Sequence, residues 1–348
     1  MRIITKSQLT AILKRGLIVG LGLSLFTPLV LAAKMEDTQK KQLVDNLREQ
    51  LSSQYVMHEA VPAILKSLDT LQMTASFNGA SEPEDIAIQL KTTLQAYDPH
   101  FSLWWSDSNN KTDKPTYEDW FVKLARKNSG FNRVEILEGN VGYIDLWGMD
   151  NIYPESRTRA EAVMSLISDT DAIIFDVRNN GGGSVDMVRF LSSYLFAEKV
   201  HLNDIYWKQT DSTAEYWTFD DIKGDKHINT PVYVIIDEDT FSAAEEFAYN
   251  LQVLKRATLI GETSKGGANP WQRFDLGDGF IAAIPIAKAV NPVTHKNWEG
   301  VGVVPDIKAD KQAALDVAYK IALQAIQKKS VSVEQQKEIA SLLSEQLQ

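Results

Sequence analysis

With 348 residues and 44% apolar side chains, the chain is long enough to bury a large core with an appended segment, and it is not predicted to be disordered. Its formal net charge of −10 argues against a nucleic-acid partner, which would need clustered lysine and arginine, and we interpret the acidity as a source of solubility. The chain contains no cysteine, so disulfides, thiolate catalysis and cysteine-ligated metal sites are excluded.

Residues 1–33 have the pattern of a secretory signal peptide. Basic side chains precede an uncharged apolar run over residues 16–31, and Ala32 and Ala33 supply small residues for cleavage before Lys34. The run is short for a membrane span and contains a proline, which favours a cleaved signal over a retained anchor, although an anchor stays open. We therefore predict an exported protein, periplasmic or secreted, with no permanent membrane span after cleavage.

Residues 34–96 are predicted to form a small N-terminal helical bundle. Apolar residues recur at helical spacing in QKKQLVDNLREQLSSQYV, and Pro62 stands near the start of a second helix, where its missing N–H costs nothing. Ser81 is a candidate cap for a third helix. The bundle could form a lid or a substrate wall over the rest of the protein, or a dimer surface.

Strands and helices alternate along the middle of the chain. The stretches NVGYIDLWGM, DAIIFDV, PVYVIID and RATLIG are predicted strands, and helical patterns separate them. Strands alternating with helices are typical of βαβ units, so we predict an α/β fold with a largely parallel sheet. Residues 101–133 are polar with an aromatic cluster, and residues 311–348 are predicted to be helical.

Ser242 stands between a predicted strand and a predicted helix, in VYVIIDEDTFSAAEEFAYNL. One interpretation is a capping box, because Glu245 follows three residues later. The other is a nucleophile, because the carboxyl ends of parallel strands border the crevice where α/β sheets bind ligands. The first N–H groups of the helix, beginning near Ala243, would then face an oxyanion. The motif alone leaves both interpretations open.

Three consecutive glycines, Gly181 to Gly183, follow another predicted strand in FDVRNNGGGSV. They could form an ordinary tight turn, or a cradle in which backbone N–H groups approach a ligand closely. The spacings GxxxxGK[ST] and GxGxxG of phosphate-binding loops are absent, so an oxyanion cradle fits better.

A serine nucleophile needs a base, and the chain has five histidines. His100 lies in AYDPHFSLWW, and His295 is a rival because Glu299 is close in sequence. Lys265 in GETSKGGANP is a second rival, as the base of a Ser–Lys dyad, but its glycine and serine neighbours indicate an exposed side chain. Glu299 in HKNWEGVGVVPDI could orient an imidazole, or it could be a surface acid in a glycine turn.

Several of these segments, taken in order, resemble one family. The segments YDPHF, GYIDL, FDVRNNGGG, TFSAAEEFAYNL, RATLIGET, GGA and WEGVGVVPDI are similar to the C-terminal-processing (tail-specific) and tricorn-core serine peptidases, a family that includes the repeats of interphotoreceptor retinoid-binding protein. The resemblance implies a crotonase-like (ClpP/crotonase) α/β peptidase core over residues 97–310.

The resemblance also implies a set of catalytic residues. Ser242 falls where the family has its nucleophile, whereas the lysine of the processing branch falls at Gly267. His100 and Glu299 match the histidine and the glutamate of the tricorn-like branch. The implied triad is therefore Ser242, His100 and Glu299, in a serine peptidase that acts on a peptide or protein and needs no cofactor or metal.

The implied oxyanion donors are the backbone N–H groups of Ala243 and of Gly182 or Gly181. The processing branch usually carries a PDZ domain, but the roughly forty residues between His100 and Gly142 are too few for one. The chain is therefore closest to the branch that resembles the retinoid-binding repeats and lacks this domain. The sequence leaves an oligomer possible.

A non-catalytic alternative stays open on the same fold. Asn269 stands where the retinoid-binding relatives often have histidine, which leaves the choice of substrate undecided. In this alternative, the chain would bind an apolar small ligand or a peptide in a pocket lined by Trp104, Trp105, Trp120 and Trp147.

Overall fold

The structure is a computed structural model that describes residues 34–106 and 118–345. The predicted signal peptide, residues 1–33, lies outside the described residues. Within the described part of the chain, we find no helix with the length and apolar character that crossing a membrane requires.

A six-stranded sheet forms the centre of the molecule. In spatial order its strands are β12 (Ile307–Lys308), β8 (Thr258–Gly261), β7 (Val232–Ile236), β4 (Ala172–Asp176), β3 (Val141–Leu146) and β2 (Phe131–Leu137). All neighbouring strands run parallel except β2 and β3, which are antiparallel. Every residue of β4 and β7 is buried, because a strand covered on both faces is a continuous apolar run.

Helices cover both faces of this sheet. Those on one face are α6 (Pro154–Leu166), α7 (Val185–Ser193) and α8 (Ala243–Val253), and those on the other are α9 (Ala314–Lys329) and α10 (Val333–Glu345). Successive residues of β4 point to opposite faces, so Phe175 contacts Phe247 of α8, with ring centroids 5.1 Å apart, while Ile174 packs in the core on the α9 side. This is the α/β fold with a largely parallel sheet that the sequence predicts.

In the described part of the chain, four α-helices lie before residue 96. They are α1 (Asp37–Gln54), α2 (Val61–Gln72), α3 (Ala75–Gly79) and α4 (Pro83–Gln95). The helix α4 begins with a proline, and its N-cap is Glu82 rather than the predicted Ser81, because the fixed φ of proline suits the first helical position.

The N-terminal helices share a hydrophobic core with a small antiparallel sheet. Its strands, in spatial order, are β1 (Ser102–Trp105), β10 (Phe280–Pro285) and β9 (Trp271–Gly277). Leu47 and Leu90 of the helices pack in one cluster with Phe101, Phe280 and Ile284. The helices are therefore held by strands that lie almost two hundred residues later in the chain.

A second small sheet and a short helix complete the fold. The sheet has strands β11 (Ala287–Val290), β5 (His201–Trp207) and β6 (Ser212–Trp217), all antiparallel, and the helix is α5 (Trp120–Arg126). Residues of these elements and of β9 line one cleft, which lies at the N-terminus of α8.

Candidate active site

Ser242 occupies the sharp turn between β7 and α8. Its backbone has φ 56° and ψ −121°, a conformation that costs a non-glycine residue about 1–3 kcal/mol and persists only where its surroundings enforce it. The N–H of Ser242 donates to Oε2 of Glu245 at 2.8 Å, which is half of the predicted capping box. The turn leaves the side chain of Ser242 on the wall of a cleft.

His100 reaches Ser242 from the turn between α4 and β1. Its Nε2 lies 3.1 Å from Oγ of Ser242, although the two residues are 142 positions apart in sequence. The buried imidazole packs against the ring of Phe241, with centroids 4.4 Å apart. This distance is within the range that a general base needs to take the proton of a hydroxyl.

Two acids lie beside the far side of the imidazole. One ring nitrogen of His100 and one oxygen each of Asp98 and Glu299 lie within 4.8 Å of one another. Asp98 Oδ1 accepts the backbone N–H of His100 at 2.9 Å and lies 3.7 Å from its Nδ1. Among the described residues, neither Nδ1 of His100 nor Oε1 of Glu299 has a hydrogen-bond partner. The structure thus brings Glu299 close to His100 without joining the two by a hydrogen bond.

The surroundings of Glu299 disfavour its charge. Burial, and to a smaller extent the nearby carboxyl of Asp98, raise the pKa of Glu299 above its ordinary value. The hydrogen bond that Oε2 accepts from the N–H of Ala268 at 2.6 Å lowers this pKa and offsets part of the rise. Asp98 is fully buried and accepts from Asn269 Nδ2 at 2.9 Å and from the hydroxyl of Tyr55 at 3.4 Å. Asn269 therefore orients the acid next to the histidine.

Glu245 is a buried acid that fixes the turn of Ser242 to a second loop. Besides the N–H of Ser242, it accepts the hydroxyl of Ser264 at 2.5 Å and the N–H groups of Gly266 and Gly267 at 2.6 and 2.9 Å. Burial raises the pKa of Glu245 to about 7, and these four hydrogen bonds oppose the rise. The capping-box pattern revealed the contact with Ser242, but no local signal revealed the contacts with the loop.

Gly267, the position that matches the lysine of the processing branch, lies directly against His100. A Cβ added at Gly267 would lie 2.8 Å from Cε1 of His100 and would overlap the ring of Phe241. The indole Nε1 of Trp298 donates to the carbonyl of Gly267 at 2.8 Å and fixes the loop there. The imidazole thus occupies the space next to the serine, and no side chain fits at residue 267.

The two rival bases lie elsewhere. Lys265 is exposed, and its Nζ lies 5.1 Å from the centroid of the Phe241 ring. His295 is exposed in a loop with a positive φ of 54°. Neither residue is among those that line the cleft at Ser242.

The glycine turn after β4 contains the two glycines predicted as oxyanion donors. The N–H of Gly182 donates to Oδ1 of Asn180 at 2.9 Å, and the N–H of Gly181 donates to the carbonyl of Trp147 at 3.3 Å. Both predicted glycine donors therefore have acceptors, one within the turn and one in the segment after β3. Asn180 is fully buried, and its own carbonyl accepts the N–H of Phe241 at 2.9 Å, so it ties this turn to that of the serine.

Gly183 has a different orientation. The N–H of Met149 donates to the carbonyl of Gly182, and the N–H of Ser184 donates to the carbonyl of Met149. These two hydrogen bonds form an isolated parallel bridge between Met149 and Gly183. In such a bridge the N–H of Gly183 points away from Met149. With φ 141° and no room for a Cβ beside the Met149 carbonyl, this position requires glycine, and it lines the cleft.

The cleft beside Ser242 has a volume of about 680 Å³. Asp119 and Arg273 form an ion pair of 3.1 Å and both line the cleft. Its other lining residues are mostly apolar or aromatic and come from α5, α7, β5, β6 and the loop before β9: Trp120, Phe121, Val185, Ile205, Trp207, Tyr216 and Pro270.

Of the four tryptophans that the sequence offered for an apolar pocket, Trp120 lines this cleft. Trp147 packs edge-on against it, with centroids 5.5 Å apart. Trp104 and Trp105 lie on β1, where the indole of Trp105 donates to the carbonyl of Asp278 at 2.8 Å. The four do not form one pocket.

Residues 140–309 match the family model of peptidase family S41. Over this segment the chain is similar to peptidase family S41. The family segment contains Ser242 and Glu299, whereas His100 lies outside it, on the N-terminal side.

Curated relatives are similar to the chain over part of its length, and a solved structure has a similar fold. The chain is 30% identical over 194 residues to a carboxyl-terminal-processing protease of Synechocystis sp., covering 53% of this chain and 43% of the relative. It is 29% identical over 175 residues to the chloroplastic carboxyl-terminal-processing peptidase 2 of Arabidopsis thaliana, covering 48% and 31%. The chain spans less than half the length of these curated relatives. The structure of a candidate peptidase from Parabacteroides merdae has the same fold, with a TM-score of 0.61, 16% identity and coverage of 84% and 99%.

Proposed function

We propose that this chain is a family S41 serine peptidase that hydrolyses peptide bonds through Ser242, His100 and Glu299. The observation that carries the proposal is the 3.1 Å contact between Nε2 of His100 and Oγ of Ser242 at the N-terminus of α8. The absence of space for a lysine at Gly267 supports histidine as the base.

The geometry supports acyl transfer in two steps. Nε2 of His100 takes the hydroxyl proton as Oγ of Ser242 bonds to the scissile carbonyl carbon, and the carbonyl oxygen becomes an oxyanion. The C–N bond then breaks, and the imidazolium gives its proton to the leaving amine, which leaves an ester on Ser242. A water molecule, deprotonated by His100, then attacks the ester carbon. The resulting tetrahedral intermediate collapses, the imidazolium returns its proton to Oγ of Ser242, and the carboxylic acid is released.

The oxyanion would be held by two backbone donors. Ala243 is the first residue of α8, where an N–H has no partner within the helix, and it lines the cleft. Because the N–H groups of Gly181 and Gly182 are engaged, the second donor we propose is the N–H of Gly183. Such paired donors stabilise charge that develops only in the transition state.

Glu299 would act on the imidazole rather than on the substrate. When His100 takes the proton, its Nδ1–H and the free Oε1 of Glu299 are the adjacent unpartnered groups, and a small approach would join them. The positive imidazolium would favour the ionised form of Glu299, which burial disfavours. Asp98, through its bond to the backbone N–H of His100, is a positioning residue.

We also propose the finer assignments that the family resemblance implies. These are a crotonase-like core over residues 97–310, a helical unit over residues 34–96, a C-terminal helical segment over residues 311–348, and a branch without a PDZ domain. The parallel sheet covered by helices on both faces and the four helices at residues 37–95 support them. The signal-peptide pattern of residues 1–33 supports export to the periplasm or outside the cell, and the cleft supports a peptide or protein substrate.

The test is labelling with a fluorophosphonate together with hydrolysis of a peptide library. We expect the probe to modify Ser242, and Ser242→Ala and His100→Ala to lower kcat/KM by a factor of about 1,000 or more. Glu299→Gln should lower kcat with little change in KM, because it acts on the imidazolium. Matched controls are Lys265→Ala and His295→Ala, which remove the rival bases and should leave the rate within about twofold, while EDTA should have no effect.

Two outcomes would contradict the proposal. One is hydrolysis that survives Ser242→Ala or depends on Lys265. The other is an unlabelled Ser242 in a folded protein that cleaves no peptide but quenches its tryptophan fluorescence on binding an apolar ligand, which would favour the non-catalytic alternative.

A further inference from the structure

A second buried acid lies in the cleft beside Ser242. Glu246 is only 6% exposed, yet it is among the residues that line the cleft. Its Oε1 is buried and has no hydrogen-bond partner in the described part of the chain. The proposed reaction makes no use of this carboxyl.

Glu246 lies one helical turn from the serine. Because α8 begins at Ala243, Ser242 and Glu246 are separated by four positions at the start of one helix, a rise of about 5–6 Å. The residue that supplies the scissile carbonyl carries its side chain on the Cα next to the carbon that Oγ attacks. A long extended side chain at this residue can therefore reach across one helical turn to the carboxyl of Glu246, which lines the same cleft.

The charged groups around Glu246 do not neutralise it. Arg189 and Asp186 of α7 are its charged neighbours, but they pair with each other at 2.7 Å. Tyr216 of β6 lines the same cleft. Burial raises the pKa of Tyr216, and the negative charge of Glu246 adds to the rise. Burial raises the pKa of Glu246 to about 8, and Asn203 of β5 and Arg189 offset only part of this rise.

Asn203 adds a second unsatisfied group at the same place. It is fully buried, and within the described residues neither polar atom of its side chain has a hydrogen-bond partner. A buried polar group without a partner is costly, so the unpartnered oxygen of Glu246, which lies on the cleft wall next to Asn203, indicates that an incoming group completes it.

We propose that Glu246 selects a basic side chain, lysine or arginine, at the residue that supplies the scissile carbonyl. This inference rests on the proposed peptidase function and names its substrate class. The apolar and aromatic lining at Val185, Ile205 and Trp207 suits the methylene stem of such a side chain, and its cation supplies the partner that the carboxylate lacks. An uncharged apolar side chain would instead leave the acid buried and unpaired, and an acidic one would be repelled.

The test compares peptides that differ only at that residue, with lysine, with norleucine of similar length, or with glutamate. For the wild type, we expect kcat/KM to favour lysine over norleucine by about tenfold or more. Glu246→Gln should abolish this preference. The matched control is Asp119→Asn, which removes the cleft acid already paired with Arg273 and should preserve the preference. Thermal melting shows that each variant is folded.

The ratio of the two rates should also depend on pH. A lysine that binds the carboxylate displaces its proton, so the lysine-to-norleucine ratio should rise from pH 6 to pH 8 and then level off. Titration of groups common to both reactions, such as the catalytic machinery, cancels in the ratio. With Glu246→Gln the ratio should be flat. A pH-independent preference in the wild type would overturn the assignment to Glu246.

Binding to Ser242→Ala separates this inference from the proposed function, because it needs no turnover. We expect calorimetry to show tighter binding of the lysine peptide than of the norleucine peptide, and Glu246→Gln in the Ser242→Ala background to remove the difference. Equal binding, or cleavage that favours norleucine, overturns the inference while the peptidase stands. A lysine preference in binding without cleavage by the wild type supports the basic pocket and contradicts the peptidase.

Discussion

At the scale of single residues, the backbone of Ser242 is the most constrained part of the site. Its φ of 56° is held by the hydrogen bond to Glu245 and by Gly182, where an added Cβ would lie 2.7 Å from Cβ of Ser242. A side chain in this conformation stores strain, which glycine would not have. The position of the hydroxyl is therefore obtained at the expense of stability.

We predict that Ser242→Gly is more stable than Ser242→Ala by about 1 kcal/mol, although both variants lack the hydroxyl. Both remove the same polar atom, so the difference reports the backbone alone. Urea unfolding of the two variants measures it. A less stable glycine variant would mean that the turn carries no strain.

The residues of the site differ in how far the sequence predicts them. Ser242, His100 and Glu299 were found only by matching several segments to a family, since a single serine before a helix is ambiguous. The engagement of Gly181 and Gly182 could not be predicted, because it depends on the orientation of the Asn180 side chain and on the carbonyl of Trp147, which follows the neighbouring strand β3. Glu246 gave no signal, because an acid in the first turn of a helix is usually exposed.

At the scale of elements, Glu245 joins α8 to the loop over residues 264–267. The four groups that donate to it come from the turn of Ser242 and from that loop, which also carries Gly267 against His100. Ser242 and His100, the proposed nucleophile and base, are thus positioned through one carboxyl that forms no hydrogen bond with the imidazole.

We predict that Glu245→Ala lowers the free energy of unfolding by at least about 2 kcal/mol, because it leaves several buried donors without an acceptor. It should also lower kcat more than it raises KM, because it displaces Ser242 relative to His100. The control is Glu238→Ala, an exposed acid in the turn before Ser242, which should change stability by less than about 0.5 kcal/mol. Similar losses in both variants would contradict the anchoring role.

The elements themselves were predicted unevenly. The strands β3, β4, β7 and β8 are short apolar runs buried in the central sheet, and α6, α7 and α8 have clear helical patterns, so the sequence predicts them. The strands β5, β6 and β9 were not predicted, because polar residues interrupt their apolar ones and β6 and β9 are largely exposed. The strands β6 and β9 pair with the neighbouring strand of a hairpin, β5 and β10 respectively, whereas β5 also pairs with the distant β11. The three strands that were not predicted shape the cleft.

At the scale of the whole molecule, buried acids make stability depend on pH. Burial raises the pKa of Glu246 to about 8 from a reference value of 4.5, so the folded protein binds a proton that the unfolded chain has released. The contribution is fully present below about pH 4.5 and is lost as the pH rises through about 8.

We therefore predict that the free energy of unfolding of the wild type decreases between pH 5 and pH 8 relative to that of Glu246→Gln, which has no titrating group at this position. Urea unfolding at several pH values provides both curves, and their difference isolates Glu246 from the other acids. Parallel curves would show that Glu246 is ionised in the folded protein throughout this range.

The packing of the N-terminal helices on β10 and β9 has a consequence for how activity begins. His100 follows the N-terminal helices, which can pack in their hydrophobic core only after residues 271–285 have been synthesised, and Glu299 lies later still in the chain. A growing chain already contains Ser242, the proposed nucleophile, before His100 is held in the place where it would take the proton. Under the proposed function, peptidase activity would thus appear in one step near the end of folding. Until then, the chain could not cleave itself or neighbouring proteins.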